Sequence, residues 1–404
     1  MTKNMVRLGD ICTVVSGSTP KTNISEYWDG DIKWITPAEL NEDSFYLHDS
    51  VRHITDLGKE KTGLTYMPSG TVILSSRAPI GKTAIAACEM CCNQGFKNLI
   101  CSDKIFNEYL YFFLSAKTEF LNSLGRGATF KEISKAIVEN IMIPLPGIED
   151  QKQIAARFVQ IEDLIRLRKE QLQQLDQLVK SRFIELFGDL ADPNCQWSAL
   201  HLFEACESAD DIKCGPFGTQ LNKDEYQSTG VAVWEIPQIN NGFTSFPTHF
   251  LTREKANQLS AYSLIPGDIA MSRKGNVGRC AVFPNNFPDG IIHSDVLRIR
   301  LDRSRVLPIF MMYQLHFGRA IQYQIESVSS GAIMAGINVG KLKNIIVFVP
   351  PIHLQEQFAA FVEQTDKLKF AVQNAVDLQI TLILNLVNHP WEHWASVSNK
   401  GVKL

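Results

Sequence analysis

A chain of 404 residues with 45% hydrophobic and 21% charged content has the make-up of a globular protein with more than one core. Its net charge of −3 and pI near 6.3 exclude a surface coated in positive charge, so nucleic acid could be held only by local patches. No apolar run reaches the length of a membrane span, the opening MTKNMVRLGDI has no apolar core of a signal peptide, and the nine cysteines are an odd number; a reduced, cytoplasmic setting without a membrane partner is expected.

In chain order, the first stretch is mixed and mostly strand-like. Short β-rich runs such as Thr71-Val72-Ile73-Leu74 lie between glycines and prolines, and 106–116 reads as a short helix. After Pro144 and Pro146 the pattern changes abruptly to a long helix, because proline marks a boundary that a helix interior cannot cross. Its apolar positions step by four and three. One seam position holds Phe158, Ile165, Leu172, Val179 and Leu186; the other holds Ile154, Ile161, Arg168, Leu175 and Arg182. That is the repeat of a coiled coil. A second mixed stretch follows, with a helix over 308–317 and a strand at Ile345-Ile346-Val347-Phe348. A second long helix then carries the seam Phe358, Val362, Thr365, Lys369, Val372, Val376, Gln379, Ile383 and Leu386.

The two halves are copies. Residues 127–157 align without a gap to 331–361 at an offset of 204, with Gly127/Gly331, Ile133/Ile337, Asn140/Asn344, Pro146/Pro350, Gln151/Gln355, Gln153/Gln357 and Ala155/Ala359 matching. So long a period means two copies of one large module rather than a solenoid. The polar seam positions differ between copies (Arg168 corresponds to Val372, Leu175 to Gln379, Arg182 to Leu386), which predicts that the two helices pack on each other within one chain. The expected domains are 1–148, a spacer helix 149–188, a second domain 189–352, a spacer helix 353–388 and a tail 389–404. The fold class is α+β: two mixed α/β domains, two long antiparallel coiled-coil helices and a pseudo-two-fold internal repeat. About 33 residues of helix span roughly 50 Å, longer than the ~34 Å turn of B-DNA, a ligand with matching two-fold symmetry.

Enzymatic readings fare poorly. Ala78-Pro79-Ile80-Gly81-Lys82-Thr83 ends like a phosphate-binding loop, but Ser76 stands where the first glycine is needed. Cys88, Cys91 and Cys92 supply one Cys-x-x-Cys without the second pair of a zinc site. Pro284-Asn285-Asn286-Phe287-Pro288 only superficially matches the base-gripping loop of an adenine methyltransferase. No cofactor, metal or catalytic residue is expected.

The ordered motifs LGDICTVVSGSTPKT (8–22), YWDGDIKWITPAEL (27–40), MPSGTVILSSRAPIGKTAI (67–85) and NQGFKNL (93–99), followed by CGPFGTQL (214–221), IPGDIAMSRKGNVGRCAV (265–282) and HSDVLRI (293–299), carry a resemblance. With both copies closing on the Gly-Ala segment and Gln-rich helix start, the chain resembles the specificity subunit of type I restriction-modification systems over nearly its whole length. The resemblance implies a noncatalytic reader of double-stranded DNA with two target-recognition domains. It implies as partners two methyltransferase subunits and, in restriction complexes, translocase-nuclease subunits. The alternatives are an adaptor that no longer reads DNA, or a fused methyltransferase or nuclease. The site should be bipartite and asymmetric, with an unread gap of roughly 5–8 base pairs.

Affinity for DNA should come from Lys and Arg on phosphates and specificity from side chains on base edges. The candidates in the first domain are Lys21, Thr22, Thr36, Arg77, Lys82, Lys97 and Arg126. Those in the second are Lys213, Gln220, Asn222, Lys223, Arg273, Lys274, Asn276, Arg279 and Arg298. Trp28 and Trp34 read as core residues. The expected helix-packing residues are Ile154, Phe158, Ile161, Ile165, Leu172, Leu175, Val179, Phe358, Val362, Val372, Val376 and Ile383.

Overall fold

The structure, a computed structural model, describes residues 5–41, 44–77, 79–127, 131–190, 195–329 and 336–388, with side chains as far as 383. The expected seam residue Leu386, the match at Gly331 and the tail from 389 lie outside the described side chains. Two compact units make up the chain: residues up to Glu170 together with those from Gln373 on, and the contiguous stretch Gln171–Val372.

The first unit is built on a five-stranded sheet ordered Cys12–Ser16, Lys97–Cys101, Val72–Leu74, Thr83–Ala86, Tyr46–Leu47. A three-stranded sheet of Arg52–Ile54, Trp28–Ile35 and Cys91–Cys92 adjoins it in sequence, and a ribbon pairs Met5–Arg7 with Met142–Pro144. The central strands are buried on both faces, as the run Val72, Ile73, Leu74 requires.

The second unit repeats this plan. Its strands Ile212–Cys214, Val296–Ile299, Ile269–Ser272 and Cys280–Val282 form one sheet. His249–Leu251, Val231–Trp234 and Gly290–Ile292 form the next, with Ser263–Leu264 added at its edge, and Ser198–His201 pairs with Ile346–Val349. The mixture is the same in both: the strand at Trp28–Ile35 runs parallel to Cys91–Cys92, and Val231–Trp234 runs parallel to Gly290–Ile292. The short helices fall at Asn107–Ser115 and Pro308–Phe317, close to their sequence-derived positions.

The long helices are Ile148–Phe187 and Ile352–Asn388. Every expected seam position described is buried or half-buried, and the intervening Leu164, Leu167 and Leu178 are exposed. Within the first unit, Arg168 Nη1 donates to the Ala375 carbonyl at 3.1 Å, and Ile383 packs on the core that holds Ile154 and Phe158. Within the second, Asp176 pairs with Lys369 at 2.6 Å, and the Phe183 and Phe358 rings lie 5.3 Å apart. Partners from one helix thus descend as those from the other climb, which is the antiparallel order. Three of the polar seam residues are satisfied locally, Lys369 by Asp176, Thr365 by the Phe361 carbonyl at 2.9 Å and Arg168 by a backbone oxygen, whereas Arg182 Nε and Gln379 Oε1 are buried without a partner.

The repeated glutamine fastens each helix to its domain. Gln151 is fully buried; its Nε2 donates to the Lys104 and Pro146 carbonyls at 3.0 and 2.9 Å, and its Oε1 accepts from Phe106 N–H at 2.8 Å. Gln355 does the same with Arg305 and Pro350 at 3.1 and 2.8 Å and with Leu307 at 2.9 Å. A side-chain amide has both donors and acceptors, so one residue closes backbone groups that no helix or strand can reach.

Candidate nucleic-acid interface

Two turns and two loops hold most of the expected contact residues, and each has its counterpart in the other unit. The turn at 75–82 is closed by Ser75 N–H on Lys82 O at 2.8 Å and Gly81 N–H on Ser75 O at 3.0 Å. Ser272 on Arg279 at 2.8 Å and Gly278 on Ser272 at 3.2 Å close the other. Gly81 and Gly278 sit at φ of 95° and 86°, a left-handed conformation that disfavours other residues. Beyond the turns, Ile133 N–H bonds Ser76 O and Ile337 N–H bonds Arg273 O, both at 3.1 Å. These bonds set Lys82 against Arg279, Ser76 against Arg273, Arg77 against Lys274 and Glu132 against Gly336.

The scaffold is shared, yet the charges are handled differently. In the first unit Arg77 and Lys97 converge on Glu132, at 2.9 and 3.2 Å, and Arg126 exchanges two backbone bonds with the same residue. Burial would raise the Glu132 carboxyl, but the hydrogen bonds from Arg77 and Lys97 carry it below its ordinary value. Glu132 had no sequence signal, being 35 positions from Lys97. In the second unit Lys274 instead takes Asp295 at 2.8 Å, and Arg273 is held by the Ser294 carbonyl at 3.2 Å.

Several expected contacts are turned inward. Lys97 is buried, with its ammonium on Glu132 and near Ser76 Oγ. Arg298 is buried, and its guanidinium donates to the carbonyls of Ala261 and Ser263 at 3.3 and 2.8 Å. Lys82 caps the Leu40 carbonyl. These three support the fold, and as placed they do not face a phosphate. Thr36 and Asn222 open short helical turns, with Glu39 and Glu225 bonded back to their N–H groups at 2.7 Å. Gln220 Oε1 accepts from Phe217 N–H and Tyr262 O–H, both at 3.2 Å.

Others remain outward. Lys21, Thr22, Arg126, Lys223, Asn276 and Arg279 are exposed, Lys213 is half-exposed, and among the described residues the cations of this set form no ion pair. The turns therefore differ at their tips: Arg279 is free where Lys82 is committed. Trp28 and Trp34 are buried, as read from the sequence, and they also position the loop that carries Lys21. Trp34 Nε1 donates to Ser18 O at 3.0 Å and Trp28 Nε1 to Lys21 O at 3.2 Å. The Arg52 guanidinium lies 3.6 Å from the Trp28 ring centroid and closes the pair from outside.

The cysteines are all free thiols, and among the described residues no three His, Cys, Asp or Glu side chains gather as metal ligands. No helix among them is long and apolar enough to cross a membrane.

Two copies of a mixed α/β module, each joined to a long helix and presenting cationic turns, have the form of a paired DNA-recognition scaffold. The chain belongs to the type I restriction modification DNA specificity domain family, whose model matches residues 2–177 and again 211–382. Specificity subunits of type I systems are noncatalytic, the chemistry residing in other subunits. The type I restriction enzyme MjaIX specificity subunit of Methanocaldococcus jannaschii is 40% identical over 186 residues, 45% of this chain and 43% of that protein. The chain thus spans under half the length of this relative, and 26% of the putative MjaX specificity subunit, to which it is 36% identical over 110 residues. The EcoKI specificity subunit of Escherichia coli is 22% identical, with 94% of this chain and 84% of that protein aligned. The solved type I restriction-modification S subunit from M. genitalium shares the fold at a TM-score of 0.53 and 14% identity, covering 95% of this chain and 94% of its own. A chain from a structure of type I R-M complex assembly and conformational transition reaches 0.61 at 20% identity, with 95% and 96% covered.

Proposed function

We propose that this chain is the DNA-reading subunit of a type I restriction-modification complex: each unit reads one half of a bipartite, asymmetric site. The observation that carries this is the contrast between scaffold and surface. The two units share strand order, turn geometry and the buried glutamine, but they differ at matching positions of the turns and loops: exposed Arg279 matches the inward Lys82, exposed Arg77 the half-buried Lys274, and exposed Phe217 the half-buried Thr19. A duplicated frame with unlike contact residues suits two unlike half-sites separated by bases that neither unit reads. We assign phosphate contacts to Lys21, Arg77, Arg126, Lys213, Lys223, Lys274 and Arg279, and base-edge contacts to Thr22, Gln220, Asn276 and Arg273. Working on DNA, the complex belongs in the cytoplasm. The partners are two methyltransferase subunits and, where restriction occurs, translocase-nuclease subunits, since the chain itself supplies recognition.

The test is methylation sequencing of DNA from a host that expresses the chain with its cognate methyltransferase subunit. The expected motif has two unlike halves with a fixed gap and one methylated adenine on each strand. Exchanging residues 189–352 for those of a relative should change one half only. A continuous palindrome, or methyl transfer by the purified chain alone, overturns the reading.

A further inference from the structure

We propose that Phe217 is an aromatic DNA contact of the second unit, packing on a sugar or a thymine methyl at its half-site, and that the first unit has no equivalent. This rests on the function proposed above. Both recognition loops leave the sheet at one jammed point: a Cβ on Gly17 would lie 2.1 Å from the Asn93 carbonyl, and one on Gly215 2.3 Å from that of His293. Two residues on, the first unit has Thr19, whose hydroxyl turns to Gln94, and the second has Phe217, 50% exposed.

A single exposed apolar side chain is ordinary. This one is held in place. Its N–H is bonded to Gln220 Oε1 at 3.2 Å, and the Arg273 guanidinium lies 4.9 Å from its ring centroid. Arg273 is itself fixed by the Ser294 carbonyl at 3.2 Å and the Cys214 sulfur at 3.6 Å. The next residue, Gly218, stands at φ 53° with nothing within 4 Å of where its Cβ would be, so the approach beside the ring is open. One ring region thus meets a fixed cation while the rest faces solvent. A flat apolar surface with a cationic edge matches the alternation of apolar sugar or thymine methyl and phosphate along a strand of the duplex, and a phenyl ring packs on a thymine methyl in the groove. A protein partner would call for a wider apolar patch than one ring.

The experiment measures binding of the complex with its methyltransferase subunit to a duplex carrying its methylation motif and to a scrambled duplex, across a salt series. Variants are Phe217→Ala, Phe217→Leu, Phe217→Trp and Thr19→Ala, each with its melting midpoint. Phe217→Ala and Phe217→Leu should weaken motif binding about tenfold or more, as loss of the contacts to one base pair does. Phe217→Trp should stay near wild type, Thr19→Ala should change binding less than twofold, and the salt slope should not move, because no phosphate contact is lost. Phe217→Leu keeps the comparison usable if Phe217→Ala lowers the midpoint. The inference is overturned if both bind as wild type to a duplex that wild type discriminates, if the salt slope falls, or if subunit assembly is lost in place of DNA affinity. A wild-type complex that does not discriminate the two duplexes overturns the proposed function itself.

Discussion

The two units answer one structural problem in the same way and one chemical problem in different ways. Where backbone has to be closed at the root of a helix, both use a buried glutamine with the same three bonds, Gln151 in one and Gln355 in the other. Where charge is displayed, they diverge. The first unit folds Arg77 and Lys97 onto Glu132 and spends Lys82 on a carbonyl, while the second leaves Arg279 free and pairs Lys274 with Asp295. Packing tolerates few solutions, whereas a surface held on a stable frame can vary without loss of the frame.

The shared part is tested first because its effect is the largest. Gln151→Ala and Gln355→Ala each remove the bonds to two carbonyls and one N–H at the helix root, so each should cost about 2–4 kcal/mol. Hydrogen exchange should show the loss confined to the altered unit and similar in size for the two. Unequal losses would mean that the matching bonds do not do matching work.

The divergent part comes next. Arg279→Ala should lower DNA affinity and reduce the salt slope by about one, as removal of a phosphate contact does. Lys82→Ala should leave the slope alone and loosen the segment around Leu40. Binding titrations across salt concentrations separate the two, and equal slopes would dissolve the distinction drawn at the turn tips.

How much of this was legible in sequence follows from how far each cause reaches along the chain. The seam of the helices is a local periodicity, so Phe158, Ile165, Leu172, Val179 and their partners could be read directly, and burial follows the pattern. The glutamines showed as repeats, but their role depends on carbonyls more than 40 residues away. Charge on a strand does not say which face it occupies. Lys97 and Arg298 each sit in a strand whose register turns them inward, and the groups that receive them, Glu132 and the carbonyls at Ala261 and Ser263, lie elsewhere in sequence. Phe217 was visible as a letter in CGPFGTQL, but its exposure depends on the turn around Gly218 and on Arg273.

The smallest effect concerns protons. Glu162 and Asp366 are separated by the repeat offset of 204 and occupy matching places on the two helices. Burial, with Asp163 adding, raises the Glu162 carboxyl to about 7. Burial also raises Asp366, but Lys369 opposes it and the side chain is largely exposed. A carboxyl raised on folding holds its proton more tightly in the folded state. The stability it contributes is therefore present below its ordinary value and lost as pH rises through about 7. Glu162→Gln should raise the melting midpoint at pH 8 by about a few degrees and leave it nearly unchanged at pH 5, with Asp366→Asn changing less at both. Thermal melts at the two pH values decide this.

The first unit is assembled from two distant pieces, residues up to Glu170 and those from Gln373 on, while the second is one uninterrupted stretch between them. During synthesis the second unit can therefore close while the first still waits for its last helix to leave the ribosome. The early piece spends that interval without Ile383, which packs on its core, and with Arg168 lacking the Ala375 carbonyl that receives it. A premature stop shortly after 372 would spare the later-made unit and strand the earlier one. Order of manufacture and order of completion run in opposite directions along this chain.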